Sequence, residues 1–333
     1  MTLQHALDLH RNGRLVEAEQ AYHEVLAATP DDADALHLLG VALHQRGADA
    51  EAAQSIRRAI ALAPEVAQYH LSLGGTLTQM GEEATALECF ERARVLDPNS
   101  VEAHTALGYL HLNRGDANAA EARFRIGRRA EEEDPMLLLG LGNLYLGRGD
   151  AERALKFLSR AAQRKPDDAL IQLALGDALF KLGNFAFADQ AFVNARSLRP
   201  ELSRARLMQA RVRMREKRYE AAREIFTELL AADLEPFGAN AGMADLARAH
   251  GQLLRALKYY RRAWAADPNN PGAANAVAWT LENLGDSAGA AECLSTGLQR
   301  APDAHWLRDP LAQILERLGR ADEAARVRAA APA

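Results

Sequence analysis

Cysteine is nearly missing: Cys89 and Cys293 are the only two in 333 residues. Two cysteines build no disulfide framework and suit a reducing compartment, so a cytoplasmic location is expected. No run of eighteen apolar residues occurs, which speaks against a membrane-spanning helix. The opening MTLQHALDLHRNGR has no basic stretch followed by an apolar run, so no signal peptide is expected. An excess of one charge is also lacking. The net charge is -5, whereas a general nucleic-acid binder would be basic. Ile, Val and Thr are sparse beside abundant Ala, which disfavours strands and favours helices. Catalytic signatures are missing too: no phosphate-binding glycine loop, no nucleophile elbow, no His-Glu-x-x-His pair. GLGNLYLG at 140–147 is glycine-rich, but its glycines keep a helical register and follow no strand. No catalytic residue, cofactor or metal is expected, and the chain reads as a non-enzyme.

What is present is a period. Prolines fall at 30, 64, 98, 166, 200, 268 and 302, every gap being 34 or 68. The two skipped slots hold Glu132 and Leu234, with late prolines at Pro135 and Pro236. Alanine recurs every 34 residues from Ala18 to Ala324 without exception. Glycine does so from Gly13 to Gly319 with one gap, Lys217. With each unit numbered so that its proline takes place 32, apolar or small residues fill places 4, 7, 8 and 11. That is one face of a 3.6-residue helix. Glycine at place 15 ends this helix, because it accepts positive φ without a Cβ clash. A second apolar series follows at places 20, 24 and 27, as Ala86, Phe90 and Ala93 show. Proline then stops the second helix.

These places resemble the tetratricopeptide repeat family: a small residue at 8, Gly at 15, Ala at 20, an aromatic or aliphatic at 24 and Pro at 32. The resemblance covers essentially the whole chain without an insertion. It implies an all-α fold, a right-handed α-solenoid superhelix of stacked helix-turn-helix units. One domain over 1–333 is expected, in ten units: 1–32, 33–66, 67–100, 101–134, 135–168, 169–202, 203–236, 237–270, 271–304 and 305–333, the last incomplete. Place 8 is Gly in units two to six (Gly40 to Gly176) and Ala in units seven to ten (Ala210 to Ala312), so wider packing is expected in the later units. Arg328 stands where other units have Phe or Leu, which suits a terminal helix with one face in water.

The resemblance also implies that first helices line a concave surface and that this surface binds peptides. Places 2, 5, 9 and 12 form the stripe opposite the core face. In the middle units this stripe is apolar: Leu112, Leu146, Phe180 and Met214 at place 12, and Leu139, Leu173 and Leu207 at place 5, with Tyr109 at place 9 and Met136 and Leu170 at place 2. An exposed apolar patch of that extent marks a binding site. The alternative is that places 5 and 12 tuck beneath the next unit and belong to the core. Unit seven adds Arg204, Arg211 and Arg215 on or beside the stripe, and the RVRMREKRYEAA segment replaces the turn glycine with Lys217. Lys217 in a left-handed turn would cost about 1 kcal/mol relative to glycine, unless the turn has changed shape.

The expected partner is therefore an extended protein or peptide segment with apolar residues and an acidic side chain or free carboxylate, held by arginine forks. Asn143 and Asp177 complete the expected site. The alternative for the arginines is pairing with acids of adjacent units, such as Asp177 and Asp245. Nucleic acid is disfavoured, since no aromatic stacking platform surrounds the patch. The lysine–asparagine clamp by which some family members hold a chaperone's C-terminus is absent: only Asn143 matches, and its partners would be Leu139 and Ala174. His10, His37 and His44 face one surface. A metal would want closer geometry and a fourth ligand, so they read as a polar wall titrating near neutral pH. The first unit also resembles bacterial repeat proteins fused to sulfotransferase, glycosyltransferase or hydroxylase domains. The rival reading is thus the substrate-recognition arm of an enzyme whose catalytic part lies elsewhere.

Overall fold

The computed structural model describes residues 2–329; Met1 and 330–333, the outer ends of the first and last expected units, lie outside them. Among the described residues the regular structure is helical throughout. The helices pair into ten antiparallel hairpins that divide into two compact units, with the boundary between Pro166 and Asp167.

The N-terminal unit holds five hairpins: α1 (Leu3–Arg11) with α2 (Leu15–Ala28), α3 (Ala33–Gln45) with α4 (Asp49–Leu62), α5 (Ala67–Gln79) with α6 (Glu83–Leu96), α7 (Val101–Asn113) with α8 (Ala117–Ala130), and α9 (Pro135–Gly147) with α10 (Ala151–Arg164). The C-terminal unit holds α11 (Ala169–Lys181) with α12 (Phe185–Leu198), α13 (Ser203–Arg215) with α14 (Tyr219–Ala231), α15 (Pro236–Ala249) with α16 (Leu253–Ala266), α17 (Pro271–Asn283) with α18 (Ser287–Arg300), and α19 (Arg308–Arg317) with α20 (Ala321–Ala329). A short 3-10 turn, His305–Leu307, leads into α19.

Each hairpin is closed by its turn. Gly81 has φ +77°; its N–H donates to Thr78 O at 3.1 Å, and that of Glu82 to Leu77 O at 2.9 Å. The same turn recurs where glycine is missing. Lys217 has φ 60°, its N–H donates to Met214 O at 3.1 Å, and that of Arg218 to Arg213 O at 2.8 Å. The turn has kept its shape, and the lysine sits in the left-handed region that its Cβ disfavours. The displaced prolines have a plain role as well. Pro135 and Pro236 open α9 and α15, where a missing N–H costs nothing. Asp134 caps α9 by accepting from Leu137 N–H at 2.7 Å.

Packing follows from small residues meeting aromatic ones. A Cβ placed on Gly74, Gly108 or Gly176 would lie 2.5, 2.3 or 2.4 Å from the ring of Phe90, Phe124 or Phe192 on the second helix of the same hairpin. Phe124, Phe192 and Phe226 are fully buried, each worth about 1.5–3 kcal/mol relative to exposure. Within each unit a second helix packs also on the first helix of the next hairpin, and successive first helices touch, as α5 with α7 and α13 with α15 do. Each first helix is thereby enclosed on several sides. At the C-terminal end only Ala324 of α20 is buried, and Arg328 reaches back to Glu316, with Nη2 3.2 Å from Oε2. Among the described residues most of the rest of α20 is open to solvent, Arg328 included.

Candidate functional site

Neighbouring first helices touch from α1 to α9 in the N-terminal unit and from α11 to α15 in the C-terminal unit, giving each a continuous stretch of first-helix surface. In the C-terminal unit it is built by α11, α13 and α15. Along it Phe180 and Met214 are half-buried and Leu170 is exposed. Phe180 meets Phe185 edge to face at 5.5 Å, and Arg215 lies 5.5 Å over the Phe185 ring. This is a cation held on an aromatic face beside the apolar stripe.

The place-5 leucines differ from the groove expected of them. Leu139, Leu173 and Leu207 retain 3, 8 and 5 % of their accessible surface, so they are core residues and not groove contacts. The reason is the neighbouring hairpin. A Cβ on Gly238 would lie 2.4 Å from Leu207 Cδ2, so Leu207 is seated beneath α15. Leu173 packs in a cluster with Phe192, Ala205 and Met208. Of the two apolar columns the open one is therefore place 12, with Leu170 beside it.

Most of the arginines find partners. Arg204 holds Asp177 at 3.1 Å, and Arg213 holds Asp189 at 2.8 Å and Glu216 at 3.4 Å. Arg206 pairs with Glu228, and Arg218 with Glu216 at 3.5 Å. Asp245 accepts from Tyr260 Oη at 2.5 Å and from Arg248 at 3.2 Å. Arg211 and Arg215 make no ion pair within 4 Å among the described residues; Arg215 lies over the Phe185 ring, and the polar contact of Arg211 is Met208 Sδ at 3.9 Å.

Arg211 is exposed but recessed. Surrounding protein strips solvation from its guanidinium and Arg204 repels it, which lowers its pKa, while Asp177, Asp245 and Glu235 act in the opposite direction. Burial raises the carboxyl pKa of Asp177, against the pull of Arg204 and Arg211, and its Oδ1 has no hydrogen-bond partner. The cluster thus combines a poorly solvated cation with a neighbouring carboxylate already committed to Arg204. An incoming carboxylate would find Arg211 available.

In the N-terminal unit, α7 and α9 present Tyr109, Leu112, Asn143 and Leu146, all half-buried. Tyr109 packs edge-on against Phe124 at 5.5 Å, and its hydroxyl donates to Met136 O at 3.4 Å. Its ring thereby joins the wall of the core as well as the stripe.

The histidines do not act together. His10 Nδ1 pairs with Tyr22 Oη at 3.1 Å, His44 Nδ1 with Asp49 Oδ1 at 2.5 Å, and His37 Nε2 with Ser72 Oγ at 2.8 Å. Burial takes the pKa of His37 down to about 4, with Asp34 opposing, so this ring stays neutral where titration was expected. No group of three or more His, Cys, Asp or Glu side chains is placed to hold a metal ion among the described residues. Nor is any described helix long and apolar enough to cross a membrane.

A family model described as the cilia and flagella-associated protein 70 C-terminal domain, a tetratricopeptide repeat model, matches residues 3–201, more than half of the chain. Two further tetratricopeptide repeat models match 173–237 and 247–308. No curated protein matches. Among solved structures, a chain of the APC/C hetero-tetramer Cut9–Hcn1 superposes with a TM-score of 0.68 at 18% identity over 83% of this chain. This chain spans 54% of the length of that one. A tetratricopeptide repeat protein from Parabacteroides merdae gives a TM-score of 0.55 at 15% identity, over 79% of this chain and 99% of that one. PilF from Pseudomonas aeruginosa gives 0.52 at 19% identity, over 61% of this chain and 93% of that one. At these identities the likeness is one of fold.

Proposed function

Because the chain belongs to the tetratricopeptide repeat family, we propose that it is a non-enzymatic protein–protein interaction scaffold that holds an extended segment of a partner on its first-helix surface. The observation that carries this reading is Arg211, without an ion pair and recessed beside a half-open Phe180–Met214 stripe, while Arg204, Arg206, Arg213 and Arg218 are ion-paired and Arg215 lies on the Phe185 ring. The segment crosses α11, α13 and α15 and presents apolar side chains to Phe180, Met214 and Leu170. An acidic side chain or terminal carboxylate lies on Arg211. Covering a half-exposed apolar side chain contributes about 1 kcal/mol before ordering costs. The charge-assisted contact to a poorly solvated guanidinium adds direction as well as affinity. Tyr109, Leu112, Asn143 and Leu146 give the N-terminal unit a stripe of its own, with a milder polar character.

The test uses short peptides selected from a displayed random library with free C-termini, then measured by fluorescence anisotropy. Peptides carrying apolar residues and a carboxylate are expected to be enriched. Phe180→Glu and Arg211→Ala should each weaken binding by about tenfold or more, with helical circular dichroism unchanged. Equal affinity for both variants and the wild-type chain would refute the assignment.

A further inference from the structure

A second charged feature lies on the second helices of the N-terminal unit, apart from the first-helix surface. Between α8 and α10 is an open recess of about 490 Å³, in which Arg125, Arg128, Arg153, Lys156 and Arg160 surround Tyr145 and Phe157. Residues 117–165 carry ten Lys and Arg against seven Asp and Glu, in a chain whose net charge is -5. Positive charge is thus concentrated here against the trend of the whole molecule, and such a patch steers anionic partners.

Four of the seven local acids are engaged in ion pairs, and a fifth, Asp134, caps α9. Glu121 takes Arg125 at 2.6 Å and Arg148 at 2.5 Å. Glu132 takes Arg128 and Arg160, both at 3.4 Å. Glu133 pairs with Arg160 and lies 3.3 Å from Arg164, and Asp150 is 3.3 Å from Arg153. After these pairs Lys156, lining the recess, and Arg129, beside it with Arg125 and Arg128, form no ion pair within 4 Å among the described residues. The side chains of Arg125 and Arg153 keep 66 and 65 % of their surface in solvent. One uncommitted cation and two open guanidiniums remain in the recess, and a second uncommitted cation, Arg129, stands beside it.

The rings decide between anionic partners. Tyr145 and Phe157 lie parallel, 3° apart, with centroids 5.6 Å from each other. Arg128 sits 5.7 Å over Phe157, and Arg153 and Arg148 sit 5.6 and 6.0 Å over Tyr145. These faces are taken by each other and by guanidiniums, so they offer no platform for a nucleobase. A bilayer would meet only the rim of a recess. An extended chain fits into it, and its carboxylates match the arginine forks that already grip Glu121 and Glu133.

We propose that the recess between α8 and α10 docks an acidic peptide segment of a partner protein, its clustered Asp and Glu side chains held by Arg125, Arg129, Arg153 and Lys156. The site is independent of Arg211 and of the first-helix stripe.

The experiment titrates the full chain into a fluorescein-labelled peptide of alternating Glu and Gly and follows anisotropy. A Lys-Gly peptide, oligothymidylate and phosphatidylserine–phosphatidylcholine vesicles are the comparison probes. The Glu-Gly peptide should bind best, more weakly as salt rises. Arg129→Gln combined with Lys156→Gln should weaken it about tenfold, whereas Arg211→Ala should leave it unchanged. Neither glutamine replaces a member of an ion pair, so a retained circular dichroism spectrum is expected. The proposal fails if the double variant binds as well as wild type, if Arg211→Ala abolishes binding, or if the Glu-Gly peptide does not bind. It also fails if oligothymidylate or vesicles bind more tightly. Sedimentation showing a dimer that the double variant dissolves would assign the recess to a second copy of the chain and equally overturn the proposal.

Discussion

Lys217 keeps φ at 60° in a turn that the other hairpins make with glycine. An L-residue in this region costs about 1–2 kcal/mol. Glycine would remove that cost but enlarge the conformational freedom of the unfolded chain, returning about 0.5–1 kcal/mol. Lys217→Gly is therefore expected to stabilise the chain by about 0.5–1 kcal/mol, read as a raised urea midpoint. Lys217→Ala keeps the Cβ and should show no such gain. The strain was foreseeable from the missing glycine, but the unaltered turn was not, because a lysine is equally compatible with a longer or reshaped loop. Asp233 and Glu235, with φ of 52° and 50°, gave no comparable signal. They lie in one of the two connections where proline slides from its place, the one before α15.

The helix pair is the scale at which glycine and aromatic side chains are matched. A methyl on Gly176 would come within 2.4 Å of Phe192 Cε1, and Phe192 is fully buried. Helix propensity favours the alanine by about 1 kcal/mol, but overpacking a closed core costs about 1–3 kcal/mol. Gly176→Ala should thus destabilise by about 1 kcal/mol, measured by urea unfolding. Combined with Phe192→Leu, part of that loss should be recovered, seen as a positive coupling in a double-mutant cycle. Gly75 supplies the contrast: nothing lies within 4 Å of its would-be Cβ, so Gly75→Ala should be stabilising. The same crowding explains Leu139, Leu173 and Leu207. Helical periodicity sets them opposite the core face, where an isolated hairpin would expose them. In a stack, neighbouring hairpins widen the buried arc of each first helix, and a one-dimensional pattern does not report how far.

For the molecule as a whole, the fold was legible because proline, alanine and glycine each mark the same 34-residue period. The charge network was not legible. Arg213 with Asp189 and Arg148 with Glu121 are 24 and 27 residues apart, and pairing across hairpins depends on side-chain reach rather than spacing. The basic recess left only a composition trace, the arginines of RFRIGRR in α8 beside LKFLSR in α10. Each compact unit comprises five hairpins, more than the three or so that stacking requires. Residues 1–166 expressed alone should therefore retain the helicity per residue of the N-terminal unit and unfold cooperatively by circular dichroism.

Phe124 is wedged between two bare backbones: a Cβ on Gly108 would stand 2.3 Å from its ring, and one on Gly140 2.5 Å. The hairpin that follows Phe124 must therefore offer a residue without a side chain at its sixth place, and the sixth hairpin, with Ala174 there, does not. Duplicating or shuffling 34-residue blocks would preserve the period yet break this joint, so the succession of blocks in the chain is itself written into the shape of their contacts.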